Sequence, residues 1–595
     1  MRQKLASGIL FLLFAFAFFL SGCAQSSVTV SISPNSATAG GDQTVQFTAT
    51  VTGSSAGVIW SVDNIPGGNA TVGTIDAQGL YTAPSSAASV QVAATSRADP
   101  SKSAQASVSV VVSGPVTPTN NPQVAVYTIT VPAGASVAIQ FGPDTNYRFT
   151  TWTQPAPAEG GPVSILVGGM LANATYHMRA SVALADGSNF LDADHTFVTG
   201  GLPAGLQAMV RANTTPGMTP QAGVELVSLL PATPFASDLD GNIIWSYTGG
   251  NSPGSYVQVI KLLPNGHFIL LFAPNTSALF YGQVRPGGIN LIREIDLAGN
   301  TIRELNIGNF NARLASAGFS VTAQDFHHDI LPLPNGHFIV LASITKQFSN
   351  LPGLAGTTTV LGDILVDLDT NWNPVWVWNA FDHLDINRRP YLFPDWTHSN
   401  AILYSPDDGN LILSMRHQSW LLKLDYNNGK GAGDILWHLG YQGDFALQGG
   451  TDPTDWFYAQ HGPSFFSPNT TGQFSMGVFD NGDDRVYPPG QTCQSLGLPQ
   501  CPYSSVVALK IDETAKTATI VFHDKPAPAF SFFGGNADLL KNSNVQFDEA
   551  ATPSQQADLY EVTQTDPPQT IWHMHCNQYA LRGTRLPSLY PGVQW

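Results

Sequence analysis

Three segments of this sequence repeat one another. "LLPNGHFILLF" from residue 262, "PLPNGHFIVLAS" from 332 and "YSPDDGNLILSM" from 404 align through Gly266, Gly336 and Gly409, 70 and 73 residues apart. In each, Pro, Asn or Asp and Gly make a tight turn and a large apolar run follows as a strand. Between them stand "SDLDGNIIWSY", "IDLAGNTIRELN", "VDLDTNWNPVWVWN" and "LDYNNGKGAGDILWHLG". Each of these has an Asp, then a turn, then a hydrophobic strand that often carries Trp. No amphipathic helical run separates them. A hairpin unit of this kind buries its two faces only against neighbouring copies of itself, which predicts a β-propeller over 205–595. The repeat is longer than the ~40–50 residues of a plain four-stranded blade, so long loops between strands are expected, and loops are where function usually resides.

The remainder of the chain fits an all-β protein of several domains. At 595 residues it exceeds what one core can bury, and 56 Gly with 42 Pro suit many short strands joined by turns. Residues 23–113 alternate apolar and polar positions around a lone Trp60 and resemble a bacterial Ig-like β-sandwich. A Pro/Ser/Thr-rich linker is expected at 114–123. Residues 124–200 resemble a fibronectin-III-like sandwich, in which Leu171 and Tyr176 flank a tight turn. His177 and His195 of that module read as surface or packing residues.

The first residues join Arg2 and Lys4 to an apolar stretch from Ile9 to Leu20, too short to span a membrane comfortably and proportioned as a secretory signal, here 1–22. The "LSGC" that follows resembles the lipobox of bacterial lipoproteins and makes Cys23 the expected lipidation site. This predicts an exported protein, periplasmic or an outer-membrane lipoprotein, that touches the membrane only through its anchor. Oxidising conditions and the short spacing of "CQSLGLPQC" predict a Cys493–Cys501 disulfide, leaving Cys576 buried and inert. With 25 Lys+Arg against 42 Asp+Glu and a net charge of −17, the surface disfavours nucleic acid.

Against that acidic background, cationic and imidazole side chains recur at one phase of the repeat. His327 and His328 in "DFHHDILPLPNGHF", His398 in "DWTHSNAILYSPDDGN" and His461 in "DWFYAQHGPSFF" each precede a strand. A radial arrangement points them at a central channel, and Arg416 in "SMRHQSWLLKLD" follows the strand that His398 begins. Filling of a watery channel accounts for the same pattern without chemistry. His417 is expected on the opposite face from Arg416, His267 and His337 in solvent, and one of His573 and His575 near the channel. No metal is assigned: zinc-type spacing is absent, the adjacent His327 and His328 should diverge on a strand, and an arginine repels a cation. Arginine with several imidazoles instead suits a small oxyanion. Trp396, Trp420, Phe457 and Tyr458 are candidate stacking surfaces for a ring, with packing as the alternative.

"HHDI", "DWTHSN", "SMRHQSW", "QHGP", "FDNG" and "ALRGTRLPSLYP", in this order over roughly 205–595, resemble the bacterial arylsulfotransferases of the ASST type. The resemblance implies a six-bladed propeller and transfer of a sulfuryl group from a phenolic sulfate ester to a phenol. It also implies catalysis without cofactor, by way of a sulfated histidine. His461 matches the nucleophile; Arg416, His398 and His328 match the groups holding the sulfuryl oxygens, with His327 as the alternate to His328. Substrate-binding candidates are His327, Trp396, Trp420 and Tyr458. Which imidazole serves as general acid and base is left open, as are the natural donor, the natural acceptor and a homo-oligomeric state. Family members carry a short disulfide upstream of the nucleophile, whereas "CQSLGLPQC" lies downstream of His461. The alternatives are a non-enzymatic propeller binding glycan or protein, and an aryl sulfate hydrolase. No P-loop is present in "NNGKGAG", and no C-x-P-x-R sulfatase core in the cysteine segments.

Overall fold

The computed structural model describes residues 27–595 apart from 231–232, 248, 250–254, 275–288, 392, 471, 484, 486–501 and 526. Cys23, Cys493, Cys501 and the leader segment 1–22 therefore lie outside the described residues. The protein is all-β, with 52% strand and 4% helix.

From residue 207 on, the described strands form six antiparallel sheets built almost entirely from sequence neighbours. The second runs Ser255–Leu262, Phe268–Pro274, Leu291–Ile295 and Thr301–Asn306; the third Asp325–Pro332, Phe338–Ser349, Thr357–Leu368 and Pro374–Asn379. The fourth runs Ser399–Ser405, Asn410–Met415, Trp420–Leu424 and Ile435–Leu439. His461–Thr470, Gln473–Asp480, Ser505–Asp512 and Thr517–Asp524 make the fifth, with Ala446–Gln448 parallel at its edge.

The first and sixth sheets exchange chain ends. Tyr579–Leu586, the last strand of the chain, pairs with Val224–Leu230 in the first sheet. Val210–Thr214 pairs with Thr570–Cys576 in the sixth, beyond Ala537–Leu539, Val545–Glu549 and Ala557–Val562.

The repeat turns sit where expected. Leu262 pairs with Phe268 across Gly266, Pro332 with Phe338 across Gly336, and Ser405 with Asn410 across Gly409. These glycines have φ of +79°, +82° and +71°, the left-handed region that a side chain penalises. The intervening Asp motifs form the outer hairpins. Asp238, Asp296 and Asp369 each accept the backbone N–H of Asn242, Asn300 and Asn373 at 2.8–2.9 Å and bond the same asparagine's side-chain amide.

Strands such as "FILLFAP" (Phe268–Pro274) are buried along their whole length because each sheet is covered on both faces. One apolar cluster joins Leu226 and Trp245 of the first sheet to Leu270 and Phe272 of the second. Others join second to third through Leu271 and Val340, third to fourth through Leu341 and Leu413, and fourth to fifth through Leu421 and Val478. Phe479 and Phe547 join fifth to sixth, and Trp572 with Val227 returns from sixth to first.

Ahead of these sheets, Trp60, Phe47, Tyr81 and Val108 form the core of the first module, and Tyr127, Ile139, Phe141 and Met178 that of the second. Leu171 N–H donates to the Tyr176 hydroxyl at 3.0 Å, closing the turn those residues flank. The expected linker differs from the structure. Ser103–Pro118 is one strand that pairs with Ala88–Ser96 and then with Ala125–Val131, so 114–118 continue a sheet shared by both modules. Pro115 is accommodated because the register shifts between Ser113 and Val116, where no ladder N–H is required.

Candidate active site

Four side chains singled out from the sequence converge: His328, His398 and His461 at the first strands of the third, fourth and fifth sheets, and Arg416 after the second strand of the fourth. The ring of His328 lies 4.8 Å from that of His398 and 6.3 Å from that of His461, centroid to centroid. The charge of Arg416 is felt at all three imidazoles. His398, Arg416 and His461 are buried, at 8%, 6% and 4% exposed, and His328 is half-buried.

Backbone irregularity aims these groups inward. His328 (φ +56°) sits in a break of register between Phe326 and Ile330, its N–H taken by Gln258 Oε1 at 2.7 Å. His398 (φ +48°) precedes the break between Ser399 and Ala401. Left-handed backbone at a non-glycine residue costs about 1–3 kcal/mol and persists only where the surroundings enforce it. Here Arg416 N–H and His417 N–H donate to the carbonyls of His398 and Thr397, at 3.2 and 3.1 Å, fastening the two turns together. Gly462 (φ +44°) follows His461 against the Gly535 carbonyl, where a Cβ would stand 2.4 Å from that oxygen.

Hydrogen bonding fixes the proton positions. Asn481 donates both side-chain N–H bonds, to Ser531 O at 2.8 Å and Gly534 O at 3.1 Å. Its Oδ1 therefore accepts from His461 Nδ1 at 2.7 Å, which leaves His461 Nε2 with a lone pair. Burial and the charges of Arg416 and Arg582 hold His461 well below the ordinary imidazole range, so it is neutral. His327 differs. Burial alone would depress it, but the hydrogen bond and charge of Asp363, with Asp325 and Asp395 behind, raise it. As an imidazolium it forms an ion pair with Asp363 (Nε2 at 3.2 Å) and donates Nδ1–H to His328 Nδ1 at 2.9 Å. His328, held neutral by burial and the positive groups around it, then carries its proton on Nε2. The adjacent pair do not diverge as expected, because the register break turns them toward each other.

His417 corrects a second expectation. Arg416–Gln418 is a turn of 3-10 helix rather than strand, so His417 shares the site with Arg416 instead of facing away. Its Nδ1–H donates to Asp395 O at 2.7 Å, its Nε2 accepts from Arg416 Nη1, and its ring lies 4.5 Å from that of His398. Burial lowers its pKa to about 3. Asp395 holds His398 Nδ1 at 2.5 Å, and burial pushes its carboxyl up to about 6. Asp395, His398 and His417 bring three potential metal ligands within 4.8 Å of one another. The His417 nitrogens are spent on a carbonyl and a guanidinium, however, and Arg416 stands alongside, a donor set suited to an anion rather than a cation.

Arg416 also reaches Asp483 and, at 3.3 Å, the Phe532 carbonyl through Nη2, while its buried Nε has no hydrogen-bond partner among the described residues. Between His328 and His461 lies a cavity of about 40 Å³, bordered also by Asn400, Gly534 and Arg582. Asn400 donates to Gln460 O at 2.6 Å, leaving its buried Oδ1 without a partner.

The expected stacking surfaces lie elsewhere. Trp396 is enclosed, stacked on Phe381 with Nε1 donating to Arg388 O at 2.8 Å. Trp420 lies 3.4 Å beneath the Arg388 guanidinium, and Tyr458 bonds Pro453 O at 3.0 Å. All three are buried in the cores between sheets, so they have no open face for a substrate ring. The ring nearest the Arg416 guanidinium is that of Tyr391, stacked on His417 at 4.6 Å; Phe532, whose carbonyl Arg416 bonds, has a ring that meets Phe533 and Tyr579 edge-on.

His573 and His575 both bind Asp558 Oδ1, at 2.7 and 2.8 Å, as a separate group. His267 and His337 are only half exposed and are tied to Glu294 and Asp367 at 2.7 and 3.0 Å. Cys576 is buried and free.

Sequence alone did not single out Asn481, Asp395, Asn400, Asp363 or Arg582. The signals were there: Asn481 lies within "FDNG" and Asp395 three residues before His398.

Comparison with known proteins places residues 209–579 within one family description, Arylsulfotransferase (ASST). No curated protein matches. Among solved structures, a Lactobacillus plantarum protein is 9% identical over 62% of this chain and all of its own, with a TM-score of 0.32. A Dyadobacter fermentans protein of unknown function is 11% identical over 61% of this chain and 99% of its own, at 0.27. A Synechocystis apocarotenoid oxygenase variant is 12% identical over 80% of this chain and 95% of its own, at 0.29. Scores this low bear on neither fold nor function.

Proposed function

The chain belongs to the arylsulfotransferase (ASST) family, and from that premise we propose that it moves a sulfuryl group from a phenolic sulfate ester to a phenol through a sulfated His461. The observation that carries this reading is the Asn481–His461 hydrogen bond, which leaves a neutral imidazole with a lone pair on Nε2, on a residue that lines the cavity. In the first half-reaction that lone pair forms the N–S bond while the S–O(aryl) bond breaks, its electron pair leaving on the phenolate. A neighbouring imidazole supplies the phenolate's proton. In the second, the same imidazole takes the proton of the acceptor phenol, whose oxygen attacks sulfur and returns Nε2 to its free state. His328 is one candidate: it gives its Nε2–H as the His327 imidazolium passes Nδ1–H to His328 Nδ1, and the relay runs backward when the acceptor is deprotonated. His398 is the other, acting once its Nε2 is protonated while Asp395 holds Nδ1–H.

The transition state spreads negative charge over the equatorial sulfuryl oxygens, as in phosphoryl transfer, so placement and electrostatics carry most of the catalysis. Arg416 and His328 serve as donors to those oxygens, each worth about 3 kcal/mol when held in place. Asn400 lies beside them on the same wall. Tyr391 and Phe532 are the surfaces proposed for the aryl ring. No cofactor is required by this scheme.

We read the six sheets as blades of a β-propeller, with Ig-like and fibronectin-like sandwiches at 23–113 and 124–200 ahead of it; the cyclic succession of cores supports the first part. Export and lipidation at Cys23 rest on the leader sequence, and the Cys493–Cys501 bridge on spacing.

The test is to incubate the protein with a chromogenic aryl sulfate alone and weigh the peptide containing His461. A gain of one sulfuryl group, absent in His461→Asn, is expected, followed by phenol release that depends on an added phenol acceptor. Release with water alone would instead make the protein a hydrolase, and no release under either condition a binding protein.

A further inference from the structure

Behind the histidine layer the inner strands enclose a second, larger cavity of about 360 Å³. This lies at the lower end of the ~300–1,000 Å³ usual for small-molecule sites. Its wall is aliphatic, with Leu262, Leu331, Leu403, Pro463 and Leu586 contributed by five strands, and most of these are half-buried, so the cavity reaches the exterior. The charged groups lining it are Lys261, Asp329, Asp538 and Arg582.

Asp329 is saturated without Arg582. Its Oδ1 accepts Lys261 Nζ at 2.6 Å and Ile330 N at 2.9 Å, and its Oδ2 accepts Ile402 N at 2.9 Å. Arg582 stands 3.8 Å off through Nη1 and, among the described residues, makes one long hydrogen bond, Nη2 to Asn400 O at 3.4 Å. Asp538 is engaged by Asn536, and burial raises its pKa as it lowers that of Lys261. A guanidinium only 25% exposed, with most of its N–H groups unspent, is costly unless an anion meets it.

We infer that this cavity is a binding site for a small organic monoanion, its charged head on Arg582 and Lys261 and its apolar body along the aliphatic wall. Arg582 also borders the smaller cavity beside His461, so an occupant here would be felt in transfer. That consequence rests on the role proposed for His461; the binding itself does not.

Calorimetry on the full chain carrying Arg416→Gln, which removes the guanidinium of the histidine site, provides the test, with hexanoate and the neutral hexan-1-ol as probes. One hexanoate should bind per chain, at least about tenfold more tightly than hexanol, and adding Arg582→Gln should weaken it by about tenfold or more. Failure of hexanoate to bind, equal affinity for hexanol, or indifference to Arg582→Gln would each overturn the inference. Should the Arg582 variant not fold, Leu403→Trp fills the same cavity from its rim. Hexanoate binding that survives Leu403→Trp also defeats the inference.

Discussion

Replacing Asn481 by leucine would leave His461 in place but remove the acceptor that holds its proton on Nδ1. The imidazole could then rotate or exchange tautomers, and the lone pair would face sulfur only part of the time. Asn481→Leu should lower the rate of sulfuryl incorporation from donor alone by about 100-fold, against the milder loss that a thermal melt would record for three forfeited buried hydrogen bonds. A second residue-scale prediction concerns pH. Asp395 accepts from His398 as a carboxylate, and burial brings its pKa up to about 6. Lowering the pH through 6 adds a proton to Asp395, removes that acceptor and frees His398 to turn, so activity should decline on the acid side of 6. Because the folded value lies above the usual carboxylate range, the charged form also costs stability above that range; the acid limb is thus one of function, not of unfolding. In Asp395→Asn the limb near pH 6 should vanish from the kcat/KM profile while the plateau falls. Four of the candidate groups could be found from the sequence because they recur with the repeat. His417 could not, because a 3-10 turn replaces the strand that was assumed after Met415. The tryptophans misled for a related reason: sequence shows a ring beside a site residue, but not which side of the sheet it takes.

At the level of the hairpin, the aspartates that begin each outer turn act as clamps. Asp369 accepts the N–H groups of Asn371 and Asn373, both at 2.8 Å, and holds the Asn373 amide as well. Asp369→Ala should cost about 1–2 kcal/mol, visible as faster amide exchange confined to Thr357–Leu368 and Pro374–Asn379. This logic could be read in advance, since the Asp-to-Asn spacing recurs in three sheets. The fifth and sixth sheets could not be found that way. Their turns, around Asp512 and Leu540, use other residues, and an unforeseen edge strand, Ala446–Gln448, joins the fifth in parallel. The shared strand Ser103–Pro118 was equally hidden, because its proline and small polar residues are those of a linker. Only pairing on both edges reveals it as a strand.

For the molecule as a whole, the segment after the last strand ties the sheets to the second module. Trp595 packs against Phe141 and Phe149 and donates to Thr150 O at 3.0 Å, while the Tyr590 hydroxyl accepts from Gly168 N at 2.8 Å and donates to Leu166 O at 3.0 Å. Deleting residues 588–595 should therefore expose the second module to limited proteolysis, with cleavage between the module and Val210 appearing where the full chain resists. The crossed chain ends have a wider consequence for biosynthesis. Leu581 and Arg582, part of the wall beside His461, belong to the final strand, which docks on residues made hundreds of positions earlier. A ribosome that stalls before this segment releases a polypeptide with every imidazole present and no chamber to hold them. The wall beside His461 is thus completed only once residues 579–586 have been made and paired with Val224–Leu230.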